Sequence, residues 1–109
     1  MAFRRAGLLR VMELEDLFEA AEILARMPRL DGERLVILTN GGGAGVLAAD
    51  RLSDLDGMLA DVSGSTRAAL DALLPPAWSH GNPVDMIGAA DAARYARALE
   101  ILMQSDAAD

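Results

Sequence analysis

The chain contains no cysteine, no lysine and only one histidine. Without thiols it can form neither disulfides nor thiolate metal sites, and one imidazole is too few for a typical zinc site. All ten basic residues are arginines, and the formal net charge is −7. Nucleic-acid surfaces need clustered Lys and Arg to neutralise phosphates. The composition therefore argues against a nucleic-acid partner and against a bound metal.

Long apolar runs are also missing. No segment approaches the roughly 20 apolar residues that span a bilayer. Arg4 and Arg5 resemble the start of a signal peptide, but the charged residues Arg10, Glu13 and Glu15 interrupt the apolar stretch that a signal peptide would need next. We therefore predict a cytoplasmic protein with no membrane partner. Its 109 residues, 52% of them hydrophobic, are enough for one domain with one core.

Short apolar runs alternate with segments of helical periodicity. The continuous run Leu35–Leu38 is typical of a parallel strand covered on both faces. The alternation predicts an α/β domain with a parallel sheet. The sheet would be small, and a further strand is expected where the sequence stops, so we predict a single domain over 1–109, truncated at its C-terminus. We predict strands at 7–11, 34–39 and 57–62, and helices at 13–27, 46–52, 65–74 (capped by Ser65 or Thr66) and 89–103.

A glycine-rich turn, NGGGAG, follows the clearest strand at residues 40–45. Glycine permits positive φ and close backbone approach, and the next helix would start near Ala44 with unpaired N–H groups and a partial positive charge. That combination binds anions such as phosphate. The turn lacks the Gly-Lys-Ser/Thr of a Walker loop, and Val46 replaces the last glycine of a dinucleotide fingerprint. A tight turn without any ligand explains the spacing about as well as a phosphate site does.

The segment 77–88 has no periodicity, and we predict an ordered loop. Pro83 restricts Asn82 to extended geometry, and the side chains of Asn82 and Asp85 can then brace the loop through backbone hydrogen bonds. His80 has no acidic partner at a motif spacing, so we interpret it as a partly exposed loop residue. Trp78 is expected to anchor the loop on the core. The scattered methionines are expected to fill the core.

Four strings of the sequence resemble the NDP-forming acyl-CoA synthetases, the family that includes ADP-forming acetyl-CoA synthetase and is related to succinyl-CoA synthetase. The resemblance follows the order of the chain and covers nearly all of it. The strings around residues 37–50 and 78–85 look closest to the branch fused to an acetyltransferase domain, the bacterial protein lysine acetyltransferases. The strings are FRRAGLLRV (3–11), ELEDLFEAAEILA (13–25), RLVILTNGGGAGVLAADRL (34–52) and LPPAWSHGNPVDMIGAADAARYARALEIL (74–102).

The resemblance implies a flavodoxin-like domain of a larger enzyme. Such enzymes convert acyl-CoA, NDP and phosphate into acid, CoA and NTP through a phosphorylated histidine. The complete protein would use CoA, ATP or ADP, and Mg, and its CoA-binding, phosphohistidine and ATP-grasp domains would be the partners of this chain. The family's histidine motif lies upstream of the segment that matches Phe3, so His80 is not its counterpart. The chain alone is therefore expected to be catalytically inactive.

In the family, one helix from each of two domains points its N-terminus at the phosphohistidine, and the segment 39–46 resembles the start of such a helix. The resemblance thus assigns phosphohistidine binding to the turn and a bracing role to the loop at 82–85. An alternative is a regulatory, ligand-sensing module of a protein lysine acetyltransferase without synthetase activity. The assigned residues are Asn40, Gly41, Gly42, Gly43, Ala44 and Gly45 in the turn, and Asn82, Pro83 and Asp85 in the loop.

Overall fold

A computed structural model describes residues 5–28, 32–88 and 90–109 of the chain. Helices and short strands alternate from residue 34 onward. No helix in this part of the chain is long and apolar enough to cross a membrane. In chain order the elements are α1 (Leu14–Arg26), β1 (Arg34–Leu35), β2 (Leu38–Thr39), α2 (Gly42–Asp54), β3 (Met58–Leu59), α3 (Gly64–Leu73), β4 (Val84–Asp85) and α4 (Ala92–Met103).

The strands are parallel and share one central segment, residues 34–39. β1 pairs with β3 in the register Arg34 to Met58, and β2 pairs with β4 in the register Leu38 to Val84. The carbonyls of alternate residues 35, 37 and 39 accept from the N–H groups of residues 60, 84 and 86 at 2.9, 2.7 and 2.8 Å. Alternate carbonyls of a strand point to the same side, so β3 and β4 follow one another along one edge of the segment. The predicted α/β class with parallel strands is confirmed.

The core lies among α3, α4, β4 and the loop that precedes β4. Leu70, Trp78, Val84 and Met86 are the largest fully buried side chains. The remaining members of the core cluster are Val62, Leu74, Ala98 and Leu102. The expectation that Trp78 anchors its loop on the core is confirmed, since only 2% of its surface is exposed. The core therefore fixes the loop that leads into β4.

The expected burial of the run Leu35–Leu38 is wrong for Leu35 and met only in part by the other three residues. Leu35 is exposed, with 47% of its surface accessible, whereas residues 36–38 are half-buried, and Val36 and Leu38 pack against the core. Among the described residues no helix covers the outer face of β1, which explains the exposure. The predicted strand at 7–11 is also wrong, because residues 8–11 form no regular structure and Leu8 and Leu9 are exposed. A short apolar run becomes a strand only where a neighbour pairs with it.

The boundaries of β4, α3 and α4 differ from the sequence-based expectation. β4 lies inside the predicted loop 77–88. The sequence did not indicate this strand, because its two residues after Pro83 are too few to show a periodic pattern. α3 begins after Ser63, so Ser65 and Thr66 lie within the helix and do not cap it. α4 begins after Asp91, whose carboxylate accepts from Arg94 N at 2.8 Å. The predicted helix start at Ala89 lies outside the described residues.

The methionines do not all fill the core. Met86, which follows β4 directly, is fully buried in the core. Four others, Met12, Met27, Met58 and Met103, are exposed. Scattered apolar residues therefore give no reliable indication of burial without a neighbouring element that covers them.

Candidate functional site

The glycine turn joins β2 to α2 at the carboxyl end of the central segment. Thr39 fixes the turn, because its Oγ1 accepts from Gly41 N at 3.0 Å and donates to Gly41 O at 3.1 Å. Gly41 O then accepts from Ala44 N and Gly45 N at 3.0 and 3.2 Å. The helix starts at Gly42, with Gly41 as its N-cap, earlier than the predicted start between residues 44 and 46. None of the residues 40–45 adopts a positive φ, so positive φ does not explain these glycines.

Close packing explains two of the glycines. A Cβ at Gly45 would lie 2.9 Å from Thr39 Cγ2 and 3.3 Å from Pro83 Cβ. A Cβ at Gly42 would lie 2.7 Å from Asp85 Oδ2. A Cβ at Gly43, by contrast, would meet no atom within 4 Å. Gly42 and Gly45 thus let α2 approach β2 and the loop before β4, whereas Gly43 faces open space.

The start of α2 has the properties of an anion site. The N–H groups of Gly42 and Gly43 have no acceptor within the described chain, as is usual in the first turn of a helix. They lie beyond the carboxyl end of a parallel strand, where ligands of such sheets bind, and the helix dipole adds a partial positive charge. The arrangement can therefore stabilise a negatively charged group that approaches from outside.

Asp85 brings a negative charge to the same place. Its Oδ2 lies beside Gly42, and its Oδ1 accepts from Ile87 N at 2.9 Å. Ile87 has a φ of 61°, which is unusual for a β-branched residue. The carboxylate offsets part of the positive potential at the start of α2, so a free anion gains little there.

Asn82 lies where the two strand pairs diverge. Its Oδ1 accepts from Ile37 N at 3.0 Å, and its Nδ2 donates to Leu35 O at 2.8 Å and to Ala60 O at 2.9 Å. One amide side chain thereby links three backbone groups of the central segment and of the residue after β3. Asn82 joins the two halves of the sheet, which is a wider role than bracing its own loop.

Ser79 is a residue that braces the loop and that the sequence analysis missed. Its hydroxyl donates to Pro83 O at 2.6 Å and accepts from Asp85 N at 2.9 Å. These two bonds hold the backbone that carries Asp85. The sequence did contain a signal for this bracing role. Ser79 lies four residues before Pro83, in a loop with two further turn-forming residues. The three predicted loop residues therefore lie in two places. Pro83 and Asp85 lie beside the glycine turn, whereas Asn82 lies where the two strand pairs diverge.

His80 forms a small polar cluster with Asp71 of α3. His80 Nδ1 lies 2.8 Å from Asp71 Oδ1, and Nε2 lies 2.9 Å from Pro76 O, so a ring with a proton on both nitrogens donates to both. Trp78 Nε1 donates to the same Asp71 oxygen at 2.9 Å. The Trp78 indole, aided by His80, holds the pKa of Asp71 below its usual value. His80 is a partly exposed loop residue, as expected, and its acidic partner comes from the preceding helix, at no motif spacing.

Two surface cavities lie away from the glycine turn. The larger, of about 590 Å³, contains Arg34 but also the acids Asp61 and Asp106. The smaller, of about 330 Å³, lies between the free edge of residues 34–38 and α4. Arg34 is already engaged, since its guanidinium binds the Asp109 carboxylate and lowers the pKa of Asp109 to about 2. The described residues contain no group of three or more carboxylates and imidazoles that could hold a metal ion.

The chain is similar to ADP-forming CoA ligases over almost its whole length. It is 37% identical to acetate–CoA ligase [ADP-forming] I of Archaeoglobus fulgidus over 99% of this chain, and 36% identical to acetate–CoA ligase [ADP-forming] I subunit alpha of Pyrococcus furiosus over 90%. A solved acetyl-coenzyme A synthetase 1 of Candidatus Korarchaeum cryptofilum, in complex with phosphate and ADP, superposes on 99% of this chain with a TM-score of 0.92 and 33% identity.

The chain corresponds to only part of each of these proteins. It spans 16% of the Archaeoglobus protein, 21% of the Pyrococcus subunit and 23% of the korarchaeal chain. The relatives thus contain further domains, as the resemblance implied. Their names do not bear on an acetyltransferase fusion or on a cytoplasmic location, which stay predictions. Residues 35–107 match the family model described as the Ligase-CoA domain, and the chain belongs to this family, whose relatives named here are ADP-forming CoA ligases.

Proposed function

We propose that this chain is the domain of an NDP-forming acyl-CoA synthetase that presents the start of α2 to a phosphohistidine on a neighbouring domain. The complete protein would convert acyl-CoA, NDP and phosphate into acid, CoA and NTP. The observation that carries the proposal is the open start of α2. Gly42 and Gly43 have free N–H groups within the described chain, and the space outside Gly43 is empty to at least 4 Å.

The energetics favour a docked phosphoryl group over a free anion. One helix end contributes about 0.3–1 kcal/mol to a nearby anion, and about 2 kcal/mol when the geometry is partly buried. The Asp85 carboxylate beside Gly42 reduces this contribution. A second helix end and the exclusion of water by a docked domain would supply the remainder. The chain therefore acts as one half of a phosphohistidine site.

The other components of the reaction belong to the partner domains. CoA, ATP or ADP, and Mg would bind the CoA-binding and ATP-grasp domains, and the phosphohistidine domain would supply the reacting imidazole. No residue of this chain is assigned a covalent step. The chain alone is expected to form no ATP from acetyl-CoA, ADP and phosphate. A purified sample that formed ATP at a rate comparable with a complete synthetase would contradict the proposal.

The decisive experiment places a valine at Gly43 in the full-length protein. A Cβ at this position would meet no described atom within 4 Å, so we expect the fold to tolerate valine, whose side chain would extend into the space that a docked phosphohistidine would occupy. We expect phosphoryl transfer to and from the histidine to slow by about tenfold or more, the equivalent of about 1.4 kcal/mol, with nearly unchanged CoA affinity. Single-turnover histidine phosphorylation measures the rate.

Ala48→Val is the matched control. Ala48 is also exposed on α2, more than one turn from the helix start, so it tests the cost of a valine on the helix surface. Its transfer rate should remain within about twofold of the unmodified protein. If the Gly43→Val protein phosphorylates its histidine at the normal rate, the glycine turn has only a structural role and the proposal is wrong. Reading the sequence that flanks this chain in its gene tests whether an acetyltransferase domain is fused to it and whether the alternative, ligand-sensing role applies.

A further inference from the structure

The outer side of β4 is paired by a single residue, Ser79. The two residues on either side of Asp85 donate their N–H groups to the central segment, to Ile37 O and Thr39 O at 2.7 and 2.8 Å. Because alternate residues of a strand direct their backbone groups to opposite sides, Asp85 faces away from that segment. There Ser79 N donates to Asp85 O at 3.3 Å, and Asp85 N donates to Ser79 Oγ at 2.9 Å. Ser79 thus takes the place of a neighbouring strand at this position.

The hydroxyl of Ser79 holds both residues that contact the first turn of α2. It donates to Pro83 O at 2.6 Å and accepts from Asp85 N. A Cβ at Gly45 would lie 3.3 Å from Pro83 Cβ, and a Cβ at Gly42 would lie 2.7 Å from Asp85 Oδ2. Groups packed this closely cannot move independently of one another. A displacement of the loop at residues 83–85 is therefore transmitted to the start of α2.

Ser79 is itself held in place on both sides. The preceding residue, Trp78, is buried in the core, and its Nε1 donates to Asp71 Oδ1 at 2.9 Å. The Nδ1 atom of the following residue, His80, lies 2.8 Å from the same oxygen. Both neighbours of Ser79 are thereby tied to α3. A group that positions another must be rigid, and the Ser79 hydroxyl meets this requirement.

We infer that Ser79 is a positioning residue for phosphoryl transfer, because it sets where the free N–H groups of Gly42 and Gly43 lie. The inference rests on the proposed function, in which these groups face a docked phosphohistidine. Its influence passes through Pro83 and Asp85, so no contact between Ser79 and the reacting group is required. Donors stabilise a developing charge best when they are already aimed at it, and a small misplacement slows the reaction.

Removal and replacement of the hydroxyl test the inference in the full-length protein. Ser79→Ala should slow single-turnover phosphorylation of the histidine about fivefold, and Ser79→Thr, which keeps a hydroxyl, should restore at least about half of the rate. The rate constant is compared, since partial unfolding lowers only the amplitude of a single turnover. Asp85 N keeps a second acceptor, Pro83 O at 3.1 Å, so we expect the alanine variant to fold. A threonine variant as slow as the alanine variant would contradict the inference.

Ser105→Ala is the matched control. Ser105 Oγ donates to Leu102 O at 2.7 Å and accepts from Ala107 N at 3.3 Å, so this variant also loses one bond to a carbonyl and one from an N–H group. Ser105 lies at the two surface cavities, away from the glycine turn. Its transfer rate should stay within about twofold of the unmodified protein. Equal slowing by Ser105→Ala and Ser79→Ala, or a normal rate for Ser79→Ala, would overturn the inference.

Hydrogen exchange distinguishes failure of this inference from failure of the proposed function, because it requires no catalysis. Ala44 N and Gly45 N donate to Gly41 O at 3.0 and 3.2 Å, and a displaced first turn weakens these bonds. In the full-length protein, peptides that cover residues 41–46 should exchange several-fold faster in Ser79→Ala and at the normal rate in Ser105→Ala.

The exchange result and the Gly43→Val transfer rate then separate the two claims. Normal exchange in Ser79→Ala, with slow transfer in Gly43→Val, would overturn the role of Ser79 and retain the phosphohistidine site. Faster exchange in Ser79→Ala, with normal transfer in Gly43→Val, would reject the phosphohistidine site and leave the link between Ser79 and α2 purely structural.

Discussion

Individual glycines in the turn 40–45 serve different purposes, although the sequence presents them as one run. Gly45 permits the close approach of α2 to Thr39 and Pro83, and Gly42 accommodates the Asp85 carboxylate. A Cβ at Gly43 would meet no atom of the described residues within 4 Å, so packing here does not require glycine at this position. A glycine that packing does not require costs helix stability, so Gly43 is the residue of the turn that most needs an explanation outside the chain.

Alanine substitutions separate these roles. Gly43→Ala should stabilise the chain by roughly 0.5–1 kcal/mol, because it reduces the entropy of the unfolded chain and meets no neighbour. Gly45→Ala should destabilise it by about 1–3 kcal/mol, because Thr39 and Pro83 must move. Urea denaturation of both variants measures the difference. Equal stabilities would contradict the packing explanation of Gly45.

Asn82 is expected to be the most sensitive polar residue of the sheet. Asn82→Ala removes three hydrogen bonds and leaves the half-buried Ile37 N–H without its acceptor. We expect a loss of about 2–4 kcal/mol in the free energy of unfolding. Asn40→Ala, at an exposed turn position, should stay within about 0.5 kcal/mol and serves as the control. A small effect at position 82 would show that water replaces the amide.

At the scale of elements, the Asp71–Trp78 bond ties α3 to the loop that leads into β4. The folded chain holds the pKa of Asp71 below its usual value, chiefly through the Trp78 indole N–H. The stabilisation is therefore complete above the unfolded pKa of about 3.9 and is lost as the pH falls through the lower folded pKa. Acidification below about pH 4 should loosen the loop.

Thermal melts between neutral and acid pH test this coupling. Trp78 is the only tryptophan, so its fluorescence reports on the loop directly. Asp71→Asn should reduce stability near neutral pH and should flatten the acid part of the stability profile. Asp50→Asn, which removes an exposed carboxylate from α2, is the control and should keep the profile of the unmodified chain. An unchanged profile for Asp71→Asn would reject the assigned role.

The start of α2 should bind free phosphate poorly while Asp85 is ionised. We expect no measurable rise in melting temperature when phosphate replaces chloride at equal ionic strength. Asp85→Asn keeps an oxygen that can accept from Ile87 N but removes the charge beside Gly42. This variant should bind phosphate more tightly, by about the 0.3–1 kcal/mol of one helix end, as measured by calorimetry. Tight phosphate binding to the unmodified chain would contradict the neutralising role of Asp85.

At the scale of the whole molecule, two apolar surfaces remain exposed to solvent because no described element packs against them. One is the outer face of the segment 34–39, and the other is the apolar face of α1, formed by Leu14, Leu17, Phe18 and Leu24. Some of the backbone carbonyls along the free edge of the segment 34–39 have hydrogen-bond donors, since Leu38 O accepts from the Tyr95 hydroxyl and Arg34 O accepts from Asp109 N. Uncovered apolar faces favour association with other surfaces, and the relatives with much longer chains provide such surfaces.

The sequence by itself determined the α/β class, the segments between 13 and 103 that become helices or the central strands, and the family. Helical periodicity and the apolar run at 35–38 are local properties of the sequence. The uncommon strings around the glycine turn and around Asn82 can likewise be recognised without knowledge of the fold. The class and the family are confirmed by the architecture and the comparisons. The assignment of the turn to a phosphohistidine stays a prediction.

Only the tertiary structure decided which residues come together. The pairing of His80 with Asp71, the contact of Asp85 with Gly42 and the three bonds of Asn82 join residues from different elements, so no local pattern encodes them. Burial was equally non-local, because the apolar residues of α1 and β1 remain exposed where no neighbour covers them. Periodicity specifies the side of an element that prefers an apolar environment, whereas packing determines whether that environment exists.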